Sequence, residues 1–508
     1  MNQAKNYTLS EIEATTLEMV IDGESVPAAS GETFTRSSPA HDIEVSTLPR
    51  GDREDVDRAV TSARRALEAG WRTVSGAQRS ALLQRVSELI VRDLEKLALA
   101  ETLESGKPIT QSRNEVRSTA ELWAYSASLA RHNYGDAHNG LGAETFALVV
   151  HEPIGVIGMI TPWNFPLLIV SQKLPFALAA GNTAVIKPSE STSSTTVMLA
   201  ELVREAGFPP GVVNVVTGNR RVGQAIVDHP GIDMLSFTGS TAVGRSLAAS
   251  AGQSLKKVEL ELGGKNPQII SADCDWPAAV DAAVFGGYFN VGQCCNSGSR
   301  LIVHRSIADE FAAAVAERAA HVPLGDPLDS ATQIGAIVSE EQFGVIQRYV
   351  SEGVAAGARL VTGGAPARSD AGRFYQPTVF ADVTPDMSIA REEIFGPVLS
   401  VLPFDELSDA IRIANSTSFG LSAGIWSNDI NEALIAARDL RAGTVWVNRW
   451  MDGYPEIPFG GYGESGIGRE LGRQALAEFS ELKTIQLQVG PRDTRWVSAP
   501  DAERKGAR

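Results

Sequence analysis

Two of the three cysteines in this 508-residue chain, Cys294 and Cys295, are neighbours in a segment that runs from Gly292 to Gly298. Glycine lets the backbone bend, and the small polar residues after the pair favour a position beside a cleft. A thiolate in such a place can attack a carbonyl carbon as a nucleophile. Free cysteine also packs as a small buried hydrophobe, and this segment alone leaves both interpretations open.

A carboxylate and an amide elsewhere in the chain could assist such a nucleophile. Glu261 closes an alternating, strand-like stretch just before two glycines, where a carboxylate could face a cleft and activate water as a general base. Asn164 lies in a turn stiffened by two prolines, where its amide could donate to a developing oxyanion. A salt-bridged surface acid and an ordinary rigid turn are the alternatives.

Two further segments follow predicted strands and suit the parts of a dinucleotide. Residues 239–246 resemble a phosphate-binding loop with Arg245 in place of the lysine, which argues against phosphoryl transfer. A helix N-terminus there would still offer N–H groups to a pyrophosphate, although an ordinary capped helix gives the same pattern. Residues 187–190 could hold ribose hydroxyls, and a solvated turn is the alternative.

The elements that must position these residues alternate between strands and helices. Strands that precede or follow the candidate motifs are predicted over residues 155–160, 182–186, 212–216 and 234–237. Such alternation predicts a parallel sheet with helices on both faces, followed by a second α/β domain from about residue 258. Residues 144–151 and 482–489 look like strands of neither sheet, and they are candidates for an arm that joins subunits.

Charge and cysteine content narrow the class of protein. The net charge of −16 and the isoelectric point near 5.0 argue against nucleic acid or an anionic membrane as a partner. Three cysteines do not make a disulfide framework, so a cytoplasmic location is expected. The N-terminus lacks a secretory signal, no transmembrane stretch is found, and the seven histidines have no metal-ligand spacing.

Together the motifs resemble those of the aldehyde dehydrogenase superfamily, and betaine aldehyde and aminoaldehyde dehydrogenases are the most similar members. The resemblance extends over residues 20–489. It is carried by seven segments in the family's order: 161–166, 187–190, 237–244, 261–267, 289–300, 392–398 and 458–469. It implies an α/β fold with a Rossmann-like cofactor domain, an α/β catalytic domain and a small β arm that builds homodimers or homotetramers.

The resemblance also implies domain boundaries. They are a cofactor domain at residues 1–127 and 148–260, a catalytic domain at 261–470, an oligomerisation arm at 128–147 and 478–495, and a flexible tail at 496–508.

The same resemblance assigns roles to residues. It implies that Cys295 is the nucleophile, Glu261 the general base and Asn164 the oxyanion donor, in the oxidation of an aldehyde to a carboxylic acid through a cysteine thiohemiacetal and thioester. The residues expected to contact the cofactor are Ile160, Thr161, Pro162, Trp163, Lys187, Ser189, Glu190, Gly218, Gly223, Phe237, Gly239, Ser240, Leu262, Glu393 and Phe395. Those expected to line the substrate pocket are Phe165, Ile169, Gln172, Tyr288, Cys294, Asn296, Arg449, Trp450, Asp452 and Phe459.

The expected cofactor is NAD, because the carboxylate of Glu190 can accept from a ribose hydroxyl and would repel a 2′-phosphate, although NADP stays possible. An amino or trimethylamino aldehyde is the first expectation for the substrate, since a cation could be surrounded by Trp450, Asp452, Tyr454 and Glu456. Arg449 could instead bind a semialdehyde carboxylate, and a general aliphatic or aromatic aldehyde is a further alternative.

Two other classes of protein stay open. A thiol acyl-transferase or amidase would use Cys295 without a nicotinamide, and the two cofactor-like segments argue against it. A binding protein that has lost activity would not need the complete set of Cys295, Glu261 and Asn164.

Overall fold

The structure, a computed structural model, describes residues 7–367, 372–490 and 496. Of the expected flexible tail, residues 497–508 lie outside the described residues, as do residues 491–495 of the expected arm. Trp496 is fully exposed.

An eight-stranded sheet forms the first half of the fold, and four of its strands confirm the predicted ones. In spatial order the strands are Gly466–Ile467, Lys257–Glu261, Met234–Thr238, Val156–Ile160, Thr183–Lys187, Val213–Val215, Met19–Ile21 and Glu24–Val26. The five strands from 257–261 to 213–215 run parallel, and antiparallel strands close both edges. The central strands are buried apolar runs, as expected of a parallel sheet that is covered on both faces.

Helices cover both faces of this sheet. They span Arg53–Glu68, Gly76–Arg92, Leu94–Ser105, Ile109–Ala130, Pro166–Ala180, Ser194–Glu205, Arg220–Asp228 and Thr241–Gln253. Adjacent strand residues pack into different cores, with Ile157 in one and Val156 in the other, because successive side chains point to opposite faces. The helix 109–130 had no predicted counterpart. Its fully buried Trp123 donates to the Ser171 hydroxyl at 3.0 Å, which ties it to the helix that follows Asn164.

A seven-stranded sheet forms the second half and confirms the second predicted α/β domain. Its spatial order is Arg359–Thr362, Thr378–Ala381, Val398–Phe404, Arg300–His304, Pro267–Ile270, Ser422–Trp426 and Thr444–Val447. All neighbours run parallel except the first pair. Its helices span Trp276–Tyr288, Ala308–Ala320, Glu340–Ala355, Ser388–Arg391, Leu407–Ala414 and Ile430–Asp439, whereas helix Gly472–Glu478 packs against helix Pro166–Ala180 of the first half.

Two small sheets complete the fold. Strands Ser480–Gln488, Thr145–Pro153 and Asp136–His138 form an antiparallel sheet separate from both large ones, which agrees with the strand-like stretches that fitted neither. Its middle strand runs to Pro153, past the arm boundary expected at residue 147. Strands Thr15–Thr16, Glu44–Pro49 and Thr33–Ser37 form the other. In the described part of the chain, no helix has the length and apolarity needed to cross a bilayer.

Candidate active site

The chain order of the first sheet reverses between strands Val156–Ile160 and Met234–Thr238, which lie side by side. Open α/β sheets bind ligands in the crevice beyond the carboxyl ends of the strands at such a point. Trp163 follows the first of these strands and Ser240 follows the second. The two residues therefore lie on the two sides of the crevice.

This crevice has groups that suit a dinucleotide. Helix Thr241–Gln253 starts at the crevice, and the Ser240 hydroxyl makes no capping bond to its N-terminus, so this hydroxyl and the first N–H groups suit a pyrophosphate. Gly223 lies beside Lys187 and Ile160, which an added Cβ would contact at 3.6 and 3.8 Å. Of the residues expected to contact the cofactor from the first domain, Gly223 lies in helix Arg220–Asp228, and the others lie at or just after the strand ends on this edge: Ile160, Thr161, Pro162, Trp163, Lys187, Ser189, Glu190, Gly218, Phe237, Gly239, Ser240 and Leu262.

Lys187 and Glu190 follow one another along this edge with different exposure. Lys187 is buried at the end of its strand and donates from Nζ to the Pro188 carbonyl at 2.8 Å. Burial lowers the pKa of Lys187 to about 8, against the attraction of Glu190. Glu190 is exposed, so its carboxylate is accessible to a hydroxyl and would repel a phosphate.

The second domain contributes Glu393 and Phe395 to the same crevice. Glu393 accepts a hydrogen bond from the Gly264 N–H at 3.0 Å. Burial raises the pKa of Glu393 to about 7, although this bond and the charge of Lys265 oppose the rise. Phe395 packs edge-on against Trp163, with ring centroids 5.3 Å apart. Residues expected to contact the cofactor thus converge from both domains.

The cysteine pair follows a strained turn between helix Trp276–Tyr288 and strand Arg300–His304. Asn290, Val291 and Gly292 have φ values of 49°, 60° and 70°. A left-handed backbone costs roughly 1–2 kcal/mol for a residue other than glycine, so surrounding contacts must hold this turn. After it, Cys294 is buried and Cys295 stays partly exposed, which leaves Cys295 as the thiol that an incoming molecule can reach.

Two N–H groups near this thiol can serve an oxyanion. The Asn164 amide donates from Nδ2 to the Gln293 carbonyl at 3.2 Å. An amide nitrogen carries two hydrogens, so the second stays available. The Cys295 N–H has no acceptor among the described residues. Two such donors are what a tetrahedral oxyanion requires.

The segment after strand Lys257–Glu261 approaches the cysteine loop so closely that residue 264 must lack a side chain. A Cβ on Gly264 would lie 2.7 Å from the Cys295 carbonyl oxygen. Asn266 donates from Nδ2 to the carbonyls of Cys295 and Ser297 at 2.7 and 2.9 Å. Its Oδ1 accepts from the Ser422 N–H at 3.1 Å, so this segment joins the cysteine loop to the second sheet.

Glu261 ends its strand as a buried carboxyl group whose two oxygens have no hydrogen-bond partner within the described residues. Burial, reinforced by the carboxylates of Glu470 and Glu259, raises the pKa of Glu261 well above its usual value. Those two carboxylates share the ammonium of the buried Lys173, which lies 3.1 Å from Glu259. A carboxyl group with a raised pKa suits proton transfer near neutral pH.

The thiol of Cys295 also resists ionisation. Contact with the Cys294 thiol, burial and the carboxylates of Glu393 and Glu261 raise the pKa of Cys295 well above its ordinary value. Because the thiolate is the nucleophile, this cysteine needs a base that removes its proton.

An apolar pocket wall surrounds Cys294. Phe165, Ile169 and Cys294 form a separate buried cluster, and Leu168, Phe289 and Met451 pack against it. The rings of Phe165 and Phe289 stack with centroids 5.9 Å apart. This wall suits an apolar group on the substrate.

The charged residues of the loop after strand Thr444–Val447 neutralise one another. Arg449 is paired with Asp452, and its Nη2 donates to the Tyr454 hydroxyl at 2.9 Å. Arg449 and Asp452 therefore already have partners within the loop.

The structure does not bring all expected pocket residues to this wall. Tyr288 is buried in the second domain's core, and its hydroxyl donates to the Thr378 carbonyl at 3.1 Å. Trp450 is buried against Trp446, with centroids 4.9 Å apart, because glycines 286, 298 and 424 leave room for its ring. Phe459 packs against the first domain's core, while Gln172 and Asn296 are partly exposed.

Sequence reasoning missed Phe289 and Leu168 as parts of the wall. Phe289 opens the cysteine segment, and Leu168 lies one helical turn before the expected Gln172. Both residues could therefore have been predicted from their positions next to residues already assigned to the pocket. Asn266 and Asn290, which hold the loop, were missed as well, since a buried amide that bonds backbone carbonyls leaves no pattern in the sequence.

Comparisons with known proteins show what this chain is similar to. The model of the aldehyde dehydrogenase family matches residues 26–485. An aldehyde dehydrogenase of Aspergillus niger is 45% identical over 476 residues, 93% of this chain and 95% of that protein. A betaine aldehyde dehydrogenase of Bacillus subtilis is 40% identical over 486 residues, 95% of this chain and 99% of that protein.

A solved structure of a related protein is also similar to this chain. The crystal structure of the NAD-dependent aldehyde dehydrogenase from Sinorhizobium meliloti superposes with a TM-score of 0.94 at 49% sequence identity, over 95% of this chain and 97% of that one. The match extends over both sheets and their crevice, and it confirms the fold expected from the seven motifs. This chain belongs to the aldehyde dehydrogenase family.

Proposed function

We propose that this aldehyde dehydrogenase oxidises its substrate through a thioester on Cys295. The observation that carries the proposal is the partly exposed thiol of Cys295 beside two N–H donors, its own and that of Asn164. Such a set can hold a tetrahedral oxyanion formed by attack of the sulfur on a carbonyl carbon.

We propose NAD as the cofactor, as in the NAD-dependent relative from Sinorhizobium meliloti. Ser240 and the start of helix Thr241–Gln253 would hold the pyrophosphate, and Lys187 and Glu190 the adenosine ribose. Glu393 would hold the second ribose. The chemistry that bound NAD supplies is acceptance of the hydride from the aldehyde carbon.

The protein's own residues carry the remaining steps. Cys295 loses its proton to a base, and the sulfur bonds to the aldehyde carbon. Asn164 and the Cys295 N–H stabilise the resulting oxyanion, and one such donor contributes about 3–4 kcal/mol to transition-state stabilisation. Once the carbon has lost its hydride, Cys295 holds the acyl group as a thioester. Water then attacks the thioester carbon, the C–S bond breaks, and the carboxylic acid is released while the Cys295 thiol is regenerated.

Glu261 is the proposed base for that water. Its raised pKa follows from burial beside Glu470 and Glu259, and its unpartnered oxygens are free to accept a proton. An ionised Glu261 next to the thiol would oppose a thiolate by charge repulsion, so it can help the cysteine only by taking the proton itself.

For the substrate we propose an uncharged aliphatic or aromatic aldehyde. The wall formed by Phe165, Ile169 and Phe289 supports an apolar chain or ring. For an amino or trimethylamino aldehyde, the first expectation, the cation would lie among Trp450, Asp452, Tyr454 and Glu456, of which Tyr454 and Glu456 are exposed. The burial of Trp450 and the pairing of Asp452 with Arg449 count against it, and the same pairing counts against a semialdehyde carboxylate.

We also propose that the small sheet formed by strands 136–138, 145–153 and 480–488 joins copies of this chain into dimers or tetramers. Its edge strand exposes Leu482, Ile485 and Leu487, and an exposed strand edge is a template for pairing. A thiol acyl-transferase or amidase remains the weaker alternative, because the crevice at Ser240 and Trp163 would then have no role.

Replacing Cys295 with alanine should abolish NADH formation and leave NAD affinity unchanged, since only the nucleophile is removed. Initial rates with a simple aldehyde and equilibrium quenching of tryptophan fluorescence by NAD check the two parts. Cys274→Ala is the matched control, because this third cysteine lies at the far end of the second sheet's core. Robust turnover by Cys295→Ala would overturn the assignment.

Steady-state kcat should rise with pH as Glu261 deprotonates and then level off. The raised pKa means that Glu261 is protonated, and unable to accept a proton from water, up to a higher pH than an ordinary glutamate. Glu261→Gln should lower kcat by roughly 10²–10⁴-fold and remove this limb of the profile. The exposed Glu205→Gln serves as the control. An unchanged profile in Glu261→Gln would exclude the role.

Two aldehydes of nearly equal shape separate the substrate classes. We expect kcat/KM for 3,3-dimethylbutanal to exceed that for betaine aldehyde by at least about tenfold, since about 1.4 kcal/mol of unfavourable desolvation of the cation would suffice. Phe289→Ala should lower kcat/KM for the neutral compound. A preference for the cationic aldehyde would contradict the proposed substrate class.

A further inference from the structure

One side chain, that of Asn290, connects the two halves of the proposed oxyanion site. From Nδ2 it donates to the Asn164 carbonyl at 2.9 Å and to the Gln293 carbonyl at 3.0 Å. The Gln293 carbonyl also accepts from Nδ2 of Asn164 at 3.2 Å. The three residues thus form a closed ring of hydrogen bonds, and all three are buried.

The ring spans the two domains. Asn164 belongs to the turn after strand Val156–Ile160 of the first sheet, whereas Gln293 lies two residues before Cys295 in the second domain's cysteine loop. The position of Gln293 fixes the peptide groups that follow it, including the Cys295 N–H. The ring therefore sets the distance between the Asn164 amide and the other donor.

The backbone at Asn290 explains why an asparagine can occupy this place. Its φ of 49° lies in the left-handed region, which asparagine tolerates better than most residues. Its own N–H donates to Oε1 of Gln111 at 3.2 Å, so Gln111 holds the turn in addition to the two carbonyls that Asn290 Nδ2 contacts. These contacts offset the strain of the left-handed turn.

We propose that Asn290 is a positioning residue for the oxyanion site. It holds the Asn164 amide and the Cys295 N–H at a fixed separation without touching the substrate. This inference rests on the oxyanion role proposed for Asn164 and Cys295. Because both acceptors are carbonyl oxygens, an amide hydrogen is the group that this position requires.

Asn290→Asp tests the requirement for an amide hydrogen. Aspartate has nearly the same side-chain volume as asparagine and tolerates the left-handed backbone. It presents carboxylate oxygens, which cannot donate, to the two carbonyls. Asn290→Gly also suits this backbone and removes the side chain, and it replaces the aspartate variant if that protein does not fold. Asn182→Asp is the matched control. The buried Asn182 likewise donates from Nδ2 to two carbonyls, of Ala177 and Phe479, but it precedes its strand, away from the crevice.

The measurement is the single-turnover rate of NADH formation at saturating aldehyde and NAD, in Asn290→Asp, Asn164→Ala and their double variant. We expect Asn290→Asp to lower the rate by roughly 10–100-fold through misplacement of the donor, and Asn164→Ala by roughly 10²–10³-fold. The double variant should be no slower than Asn164→Ala by more than about threefold, since Asn290 acts through Asn164. NAD affinity should be unchanged, and Asn182→Asp should keep the wild-type rate.

The outcomes separate the oxyanion role of Asn164 from the positioning role of Asn290. If Asn164→Ala keeps the wild-type rate, the proposed oxyanion role fails, and the role of Asn290 fails with it. If Asn164→Ala is slow but Asn290→Asp is as fast as wild type, only the positioning role fails. The positioning role also fails if the effects of the two substitutions multiply in full, because Asn290 would then act independently of Asn164.

Discussion

The close approach of two backbone segments is the constraint on which the rest of the site depends. Gly264, just after strand Lys257–Glu261 of the first sheet, lies against the Cys295 carbonyl, where an added Cβ would be 2.7 Å away. This contact joins a strand end of one domain to the nucleophile loop of the other. In the same short segment the Gly264 N–H donates to Glu393 and Asn266 donates to the Cys295 carbonyl, so one segment supports both an expected cofactor contact and the cysteine loop.

A second consequence of this approach is the burial of ionisable groups. Glu261 has no hydrogen-bond partner among the described residues, and burial together with Glu470 and Glu259 raises its pKa. The Cys294 thiol, burial and nearby carboxylates likewise raise the pKa of Cys295. Both groups therefore hold their protons to a higher pH than usual, and each must exchange a proton during the proposed reaction. Pairs of titratable groups with shifted pKa values are typical of acid–base sites.

Much of the fold and part of the candidate site could be predicted from the sequence. Alternating strands and helices gave the two α/β domains. Glu261 and most of the first domain's cofactor segments lie at strand ends or in the turns that follow them, whereas the cysteine segment lies between a helix and strand Arg300–His304. The predictions rested on local patterns, in which glycines and prolines mark turns and apolar runs mark buried strands. Helix Ile109–Ala130 was not predicted, because polar residues interrupt its apolar face and its stability comes from packing against neighbouring helices.

The substrate pocket was harder to predict, for a physical reason. Trp450 looked available for a ligand, but three glycines distant in sequence make room for its ring inside the fold. Arg449 and Asp452 each looked like a recognition charge, and only the folded loop reveals that they pair. Asn290 and Asn266 bond to backbone carbonyls, whose positions exist only in three dimensions.

The central claim, a thioester on Cys295, can be tested by mass spectrometry. Glu261→Gln, mixed with aldehyde and NAD and quenched in acid, should carry an added mass equal to the aldehyde less two hydrogens, located by peptide fragmentation on Cys295. Formation of NADH without any such adduct on Cys295, or an adduct on Cys294 instead, would contradict the account.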